Sequence, residues 1–244
     1  MKKNRLLLHT KNDVPFIEAQ VNIHQPTIDE ISLIGEDNFQ VGVRFIGITK
    51  DEIEDKTGLD DKTDFDIFMS IIRTKEGMFY KVKVMMVLTL LFPNFQIAIY
   101  EDRISLMQEK EEKAKIDKGN FDAFKEIINN IFPFKGGEGG KSEYNPADKR
   151  AQKIAEKLAK GKKKAAKSKG QNLEDISIFT YYISVLSVGL QKDKNVLLQY
   201  TVPQLLDEFD RYQRKISYDA YVSAKMAGAK DIDEVQHWMN DVDK

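Results

Sequence analysis

The densest chemistry in this chain is cationic. Between Lys149 and Lys169 stand ten Lys or Arg and one acid, Glu156. The formal net charge is −1, so this run of +9 leaves −10 on all other residues, an acidic body cut by a basic connector. Closely spaced ammonium groups can release counterions from a polyanion such as nucleic acid, or face an acidic protein surface. Lys157, Lys160, Lys162, Lys163, Lys164 and Lys167 are the residues expected to make that electrostatic contact. A helix is expected here, but Ala151, Ile154 and Leu158 give it only a narrow apolar stripe, enough for weak docking and too little for a core. No aromatic interleaves the lysines, and lysine outnumbers arginine nine to one, which disfavours base stacking and base-edge readout. Nucleic acid is therefore the less favoured partner, and a solvated charged connector the plainer reading.

Other arrangements point less firmly to chemistry. The glycines at 136–140, followed by Lys141 and Ser142, resemble a phosphate-binding loop, but the position that needs its first glycine is Lys135. Pro133 before it and Pro146 after it also deny the strand and helix that such a loop requires, so a linker is the better reading. His9, His24 and His237 are far apart, with no partner at helical metal-ligand spacing, and read as surface or packing residues. The acidic pairs Asp60–Asp61 and Glu111–Glu112 lie in polar stretches that solvation explains. With no cysteine there is no thiol nucleophile and no disulfide. The expectation is a non-enzymatic protein without catalytic residues, cofactor or metal.

The elements that must position these residues follow from periodicity. Fold class is expected to be mainly α with a minor β component (α+β). Three segments are expected: an N-terminal α+β domain at 1–135, a Gly-rich then Lys-rich helical linker at 136–172, and a small helical domain at 173–244. Arg5–His9 and Pro15–Ile23 read as short strands of a hairpin. Thr27 with Glu30 makes a capping box ahead of Ile28, Ile31 and Ile34, and a further helix spans Phe39–Ile48. Residues 50–66 read as an acidic loop with one helical turn.

Asp64–Arg73 is an amphipathic helix, and Met78–Phe92, apolar nearly all round, is expected to be the central buried helix, although its valines also permit a strand. Phe95–Tyr100 and Arg103–Gln108 form a hairpin around Glu101–Asp102, residues 109–115 are solvated, and Phe121–Phe132 is a last helix before Pro133. Beyond the linker, Ile176, Phe179, Ile183, Leu186 and Leu190 stripe one long helix. Thr201, Pro203 and Gln204 open another, with a break near Ser217 and an end at Met226–Gly228. Asp231 and Glu234 suggest a terminal helix carrying Val235, Trp238 and Met239. Met1–Thr10 holds too short an apolar stretch for a secretory signal, and Val84–Phe92 is about half a bilayer span, so a cytoplasmic protein that does not engage a membrane is expected.

The C-terminal third is rich in rings: Tyr181, Tyr182, Tyr200, Tyr212, Tyr218, Tyr221 and Trp238. Most are needed as core in so small a piece, and any surplus on the outside would be an interface. Within it, Tyr-Thr-Val-Pro-Gln-Leu-Leu-Asp-Glu-Phe-Asp-Arg-Tyr at 200–212, Tyr-Asp-Ala-Tyr-Val-Ser-Ala-Lys-Met-Ala-Gly-Ala-Lys at 218–230 and Trp-Met at 238–239 resemble the tail assembly chaperones of tailed bacteriophages. Thr-Ile-Asp-Glu-Ile-Ser-Leu-Ile-Gly at 27–35 is similar in style, and the likeness touches about half of the chain. It implies a nonstructural protein that binds the long helical tape-measure protein, keeps it soluble and recruits tail tube protein. It also implies a two-part division, sometimes made by frameshifting, which would fall between residues 135 and 172. Tyr212, Tyr218, Tyr221 and Trp238 are the client contacts expected on this reading. A homo-oligomer is compatible with this reading, and the alternatives are a structural tail or baseplate component and a non-specific nucleic-acid binder acting through the basic linker.

Overall fold

The structure is a computed structural model that describes residues 5–53, 61–75, 77–133, 177–229 and 232–240. The basic segment, with the six lysines singled out above, the glycine cluster and Ile176 lie outside the described residues. The chain divides into two units, one taking Met1–Phe134 together with Tyr182–Lys244 and the other Lys135–Tyr181. The N-terminal and C-terminal segments, read from sequence as separate domains, thus fall in one unit. Its described elements are mainly α with a minor β part, as the periodicity implies.

The N-terminal residues depart from expectation. Arg5–Leu8 is a single helical turn, α1, and not a strand. Local bonds close it, the Thr10 N–H (3.1 Å) and hydroxyl (2.8 Å) donating to Leu7 O, and the buried Gln25 amide adds bonds to the carbonyls of Leu7 (3.1 Å), Thr10 (3.4 Å) and Asn12 (2.6 Å). Those carbonyls are thereby gathered onto one group and not spread along a ladder. The hairpin is instead made within Val14–Ile23, by β1 (Val14–Phe16) and β2 (Val21–Ile23), paired antiparallel across a 3-10 turn at Ile17–Ala19. Gln20, with φ 57°, closes that turn.

The capping box is made as expected: Thr27 Oγ1 accepts from Glu30 N–H at 3.2 Å and Glu30 Oε2 accepts from Thr27 N–H at 2.7 Å. It starts α2 (Ile28–Ile34), and Gly35, at φ +85°, turns the chain into α3 (Glu36–Ile46). A short 3-10 turn at Lys50–Glu52 precedes α4 (Asp64–Ile72). Thr63 and Asp66 cap α4 by the same reciprocal device, with Asp in place of the usual Glu.

Met78–Leu91 is helical, α5, and packs along α3. Gly42 makes that approach possible: a Cβ there would lie 2.6 Å from Val87 Cγ2 and 2.7 Å from the Lys83 carbonyl oxygen. Only part of α5 is core, contrary to the expectation of a buried helix. Val84, Val87, Leu88 and Leu91 are fully buried, whereas Met78, Phe79 and Val82 face solvent.

A three-stranded antiparallel sheet follows, β3 (Gln96–Ile99), β4 (Arg103–Gln108) and β5 (Glu111–Asp117) in that order. β5 replaces the solvated stretch expected there. Its inward positions Ala114 and Ile116 are buried while its charged positions face out. Glu112, one of the acidic pair, accepts from the Ser105 hydroxyl and from Arg103 Nε at 3.0 Å across the strands. α6 (Phe121–Ile131) completes this part. Its Phe121 and Phe124 join Phe16, Phe65, Phe68 and Phe92 in a network of ring contacts at the centre of the core.

Three helices are described after the linker: α7 (Ile178–Leu190), α8 (Lys194–Leu198) and α9 (Val202–Met226). In α7 the expected stripe holds, with Phe179, Ile183 and Leu186 buried. α9 runs unbroken through Ser217, braced by i,i+4 pairs between Asp210 and Arg214 and between Lys215 and Asp219. It ends as read, with Gly228 at φ +91°. The expected capping box stands at its start, with Gln204 Oε1 accepting from the Thr201 N–H at 3.0 Å and Pro203 in the first turn. Backbone contacts tie this part to the N-terminal segment: Ile28 N–H donates to Tyr200 O at 2.9 Å, and a bridge pairs Thr27 with Thr201. No terminal helix forms over 232–240, which has no regular secondary structure before a turn at its end. Arg211 Nη1 donates to the Trp238 carbonyl at 3.2 Å and so ties this segment to α9.

Candidate partner-binding surface

Three of the four predicted contact rings come together, through a histidine that the sequence reading treated as a bystander. Tyr218 and Tyr221, one turn apart on α9, have ring centroids 6.3 Å apart. His237 stands edge-on to Tyr218 at 4.5 Å and stacks with Trp238 at 5.8 Å. Each of these rings is half-buried. His237 Nδ1 accepts from the Met239 N–H at 3.2 Å, which fixes the imidazole in the turn. Arg211 holds the segment onto α9 from below.

Tyr212 is not part of this group. It lies half a helical turn out of phase with Tyr221 and packs on α7, where a Cβ on Gly189 would fall 2.0 Å from its ring. Tyr182 likewise stacks on Phe209 at 4.0 Å and serves the helix packing. At the start of α9, Lys192 donates to Glu208 Oε1 at 2.8 Å and to the Tyr200 hydroxyl at 2.9 Å. These two bonds, Glu208 first, raise the Lys192 ammonium above its ordinary pKa.

A second cluster escaped the sequence reading altogether. His24 Nδ1 lies 3.0 Å from Asp13 Oδ1, and its Nε2 lies 3.3 Å from Glu30 Oε2. A neutral imidazole has one N–H, so only the imidazolium donates to both carboxylates. Burial works against the charged form of Glu30, but the Thr27 N–H, the Thr27 hydroxyl and His24 outweigh it and lower its pKa. No spacing signal marks the trio, because the β1–β2 hairpin and the α2 cap bring it together. The two carboxylates sit at opposite edges of the ring and do not converge on one point. Among the described residues no group of histidines and carboxylates could hold a metal ion.

Two hollows lie on the described surface. One of about 280 Å³ is lined by Phe65, Asp66, Met69, Arg73 and Lys118, and another of about 410 Å³ by Lys11, Val196, Gln199, Tyr200 and Gln204. In the first, Lys118 Nζ donates to Asp66 Oδ2 at 2.7 Å. With the Thr63 N–H and hydroxyl, that bond lowers the carboxyl to about 2. Ser70, Glu101 and Asp102 also line this hollow, and the Ser70 hydroxyl donates to the Ile67 carbonyl at 2.8 Å. No helix of the described residues is long and apolar enough to cross a membrane. The chain matches no family model, no curated protein and no solved structure.

Proposed function

We propose that this protein is a tail assembly chaperone that binds the tape-measure protein of a tailed bacteriophage and assists tail tube assembly without chemistry of its own. The observation that carries the reading is the open ring cluster of Tyr218, Tyr221, His237 and Trp238 beside α9. Rigid amphipathic rings lose little entropy on docking and suit a helix-rich client. α9 itself, 25 residues long and so about 37 Å, offers a long surface along which such a client can lie. The lysines of the connector supply the electrostatic part of the same reading.

The test is co-expression with the long helical protein encoded beside this one, followed by pull-down at moderate salt. Capture that keeps the client soluble is expected, with loss on Tyr221→Ala and Trp238→Ala while circular dichroism stays unchanged. Capture untouched by both variants, or retention on DNA that vanishes in high salt with no client, refutes it.

A further inference from the structure

We propose that the outward face of α5 is a docking surface for an amphipathic helix whose apolar stripe is edged with carboxylates. The proposal goes beyond the reading above. It uses a different face and stands whether or not the ring cluster binds a tape-measure protein.

One side of α5 builds core through Val84, Val87, Leu88 and Leu91. Met78, Val82, Met86 and Leu90, four apart, form one row on the opposite side, with Phe79 beside it. Met78, Phe79 and Val82 are 56%, 58% and 49% exposed. Met86 and Leu90 are half-buried, while the Met78–Val82 end of the row sheds its water only when another apolar surface covers it. The ridge of i,i+4 side chains leaves grooves that fit the ridge of a second helix, and its two methionines, Met78 and Met86, adapt to a partner's shape.

Charge selects among occupants. α5 contains no acid, and its two cations, Lys81 and Lys83, bracket the row, one on each side. Lys83 Nζ lies 4.0 Å above the Phe79 ring, so positive charge borders the apolar patch directly. A helix edged with Glu or Asp complements that rim. A second copy of this face would bring lysines against lysines across a two-fold axis. An anionic bilayer would meet two lysines on a body that carries −10 outside residues 149–169.

The experiment titrates full-length protein against a labelled synthetic helical peptide with leucines at i, i+3, i+4 and i+7 and glutamates flanking them, read by fluorescence anisotropy. A sister peptide carries lysines in place of the glutamates. The glutamate peptide should saturate and bind about tenfold tighter than its sister. Val82→Glu and Phe79→Ser, both at exposed positions, should each weaken binding about tenfold or more with unchanged circular dichroism. The paired change Lys81→Glu with Lys83→Glu should invert the preference between peptides, and Tyr221→Ala with Trp238→Ala should leave it alone. No saturation, equal affinity for the two peptides, or indifference to Val82→Glu overturns the proposal. So does Val82-dependent retention on phosphatidylglycerol vesicles without peptide binding, or a Val82-dependent dimer in sedimentation.

Discussion

Replacing Gly42 with alanine should destabilise the fold even though alanine is the better helix former. The gain in helix propensity is about 1 kcal/mol. Against it, the new Cβ would meet Val87 Cγ2 at 2.6 Å and the Lys83 carbonyl oxygen and carbon at 2.7 and 3.0 Å. Contacts of this kind settle near 3.5–4.0 Å, so the shortfall is about 1 Å. Val87 can be repacked, but the Lys83 carbonyl belongs to the α5 ladder and has no rotamer to change. α3 must therefore step away from α5, thinning contacts among Phe39, Val43 and Ile46 on one side and Val84 and Leu88 on the other. Overpacking of this type costs about 1–3 kcal/mol, and a rigid neighbour points to the upper end. The net loss should be about 2 kcal/mol, read as a fall in urea midpoint at constant slope and a drop in melting temperature of roughly 4–8 °C. Val87→Ala in the same background should restore only part of it, while Arg44→Ala on the exposed side of α3 should change little. A Gly42→Ala protein as stable as the parent would refute the close approach.

Three further outcomes follow from other parts of the fold. Glu109 and Lys110 join β4 to β5 with φ of 52° and 69°, a turn that favours Asn-Gly, so Glu109→Asn with Lys110→Gly should raise stability by about 1 kcal/mol in thermal unfolding; a lower melting temperature would count against the turn. The Asp66 carboxyl, held at about 2 against an ordinary 3.8, adds stability that is complete above about pH 4 and lost as pH falls through 2. An NMR titration should show its midpoint rising in Lys118→Gln, and an unmoved midpoint would dissolve the pair. Arg211→Met should release residues 232–240 from α9, seen as a red shift of Trp238 fluorescence and faster amide exchange there, with the melting temperature nearly unchanged.

What could be read in advance was what is local. Thr27 with Glu30 announces α2 because both partners lie within one turn, and Gly228 marks the end of α9 for the same reason. β5 was hidden because only Ala114 and Ile116 carry its alternation and no glycine marks its turn. α1 is closed by Thr10 and braced by Gln25, whose reach to Leu7, Thr10 and Asn12 has no signature in the Arg5–His9 stretch. The uniform apolar character of α5 says that both sides are greasy and cannot say that only one is covered. At the candidate surface, Tyr218 and Tyr221 are neighbours by helical spacing alone. Recruiting His237 and Trp238 required the return of a non-helical segment, and Tyr212 fell away because its phase on α9 aims it at Gly189.

The pairing of Thr27 with Thr201, and of Ile28 with Tyr200, has a consequence for synthesis. The N–H of Ile28 leaves the ribosome long before the carbonyl that receives it. Until then the early part of the chain carries an unfinished seam, and the closing contact must span more than a hundred residues of intervening chain. A product that stopped in the glycine cluster at 136–140 would never close that seam. It would be a different folding problem from the full chain, prone to seek its missing strand-like partner in another molecule.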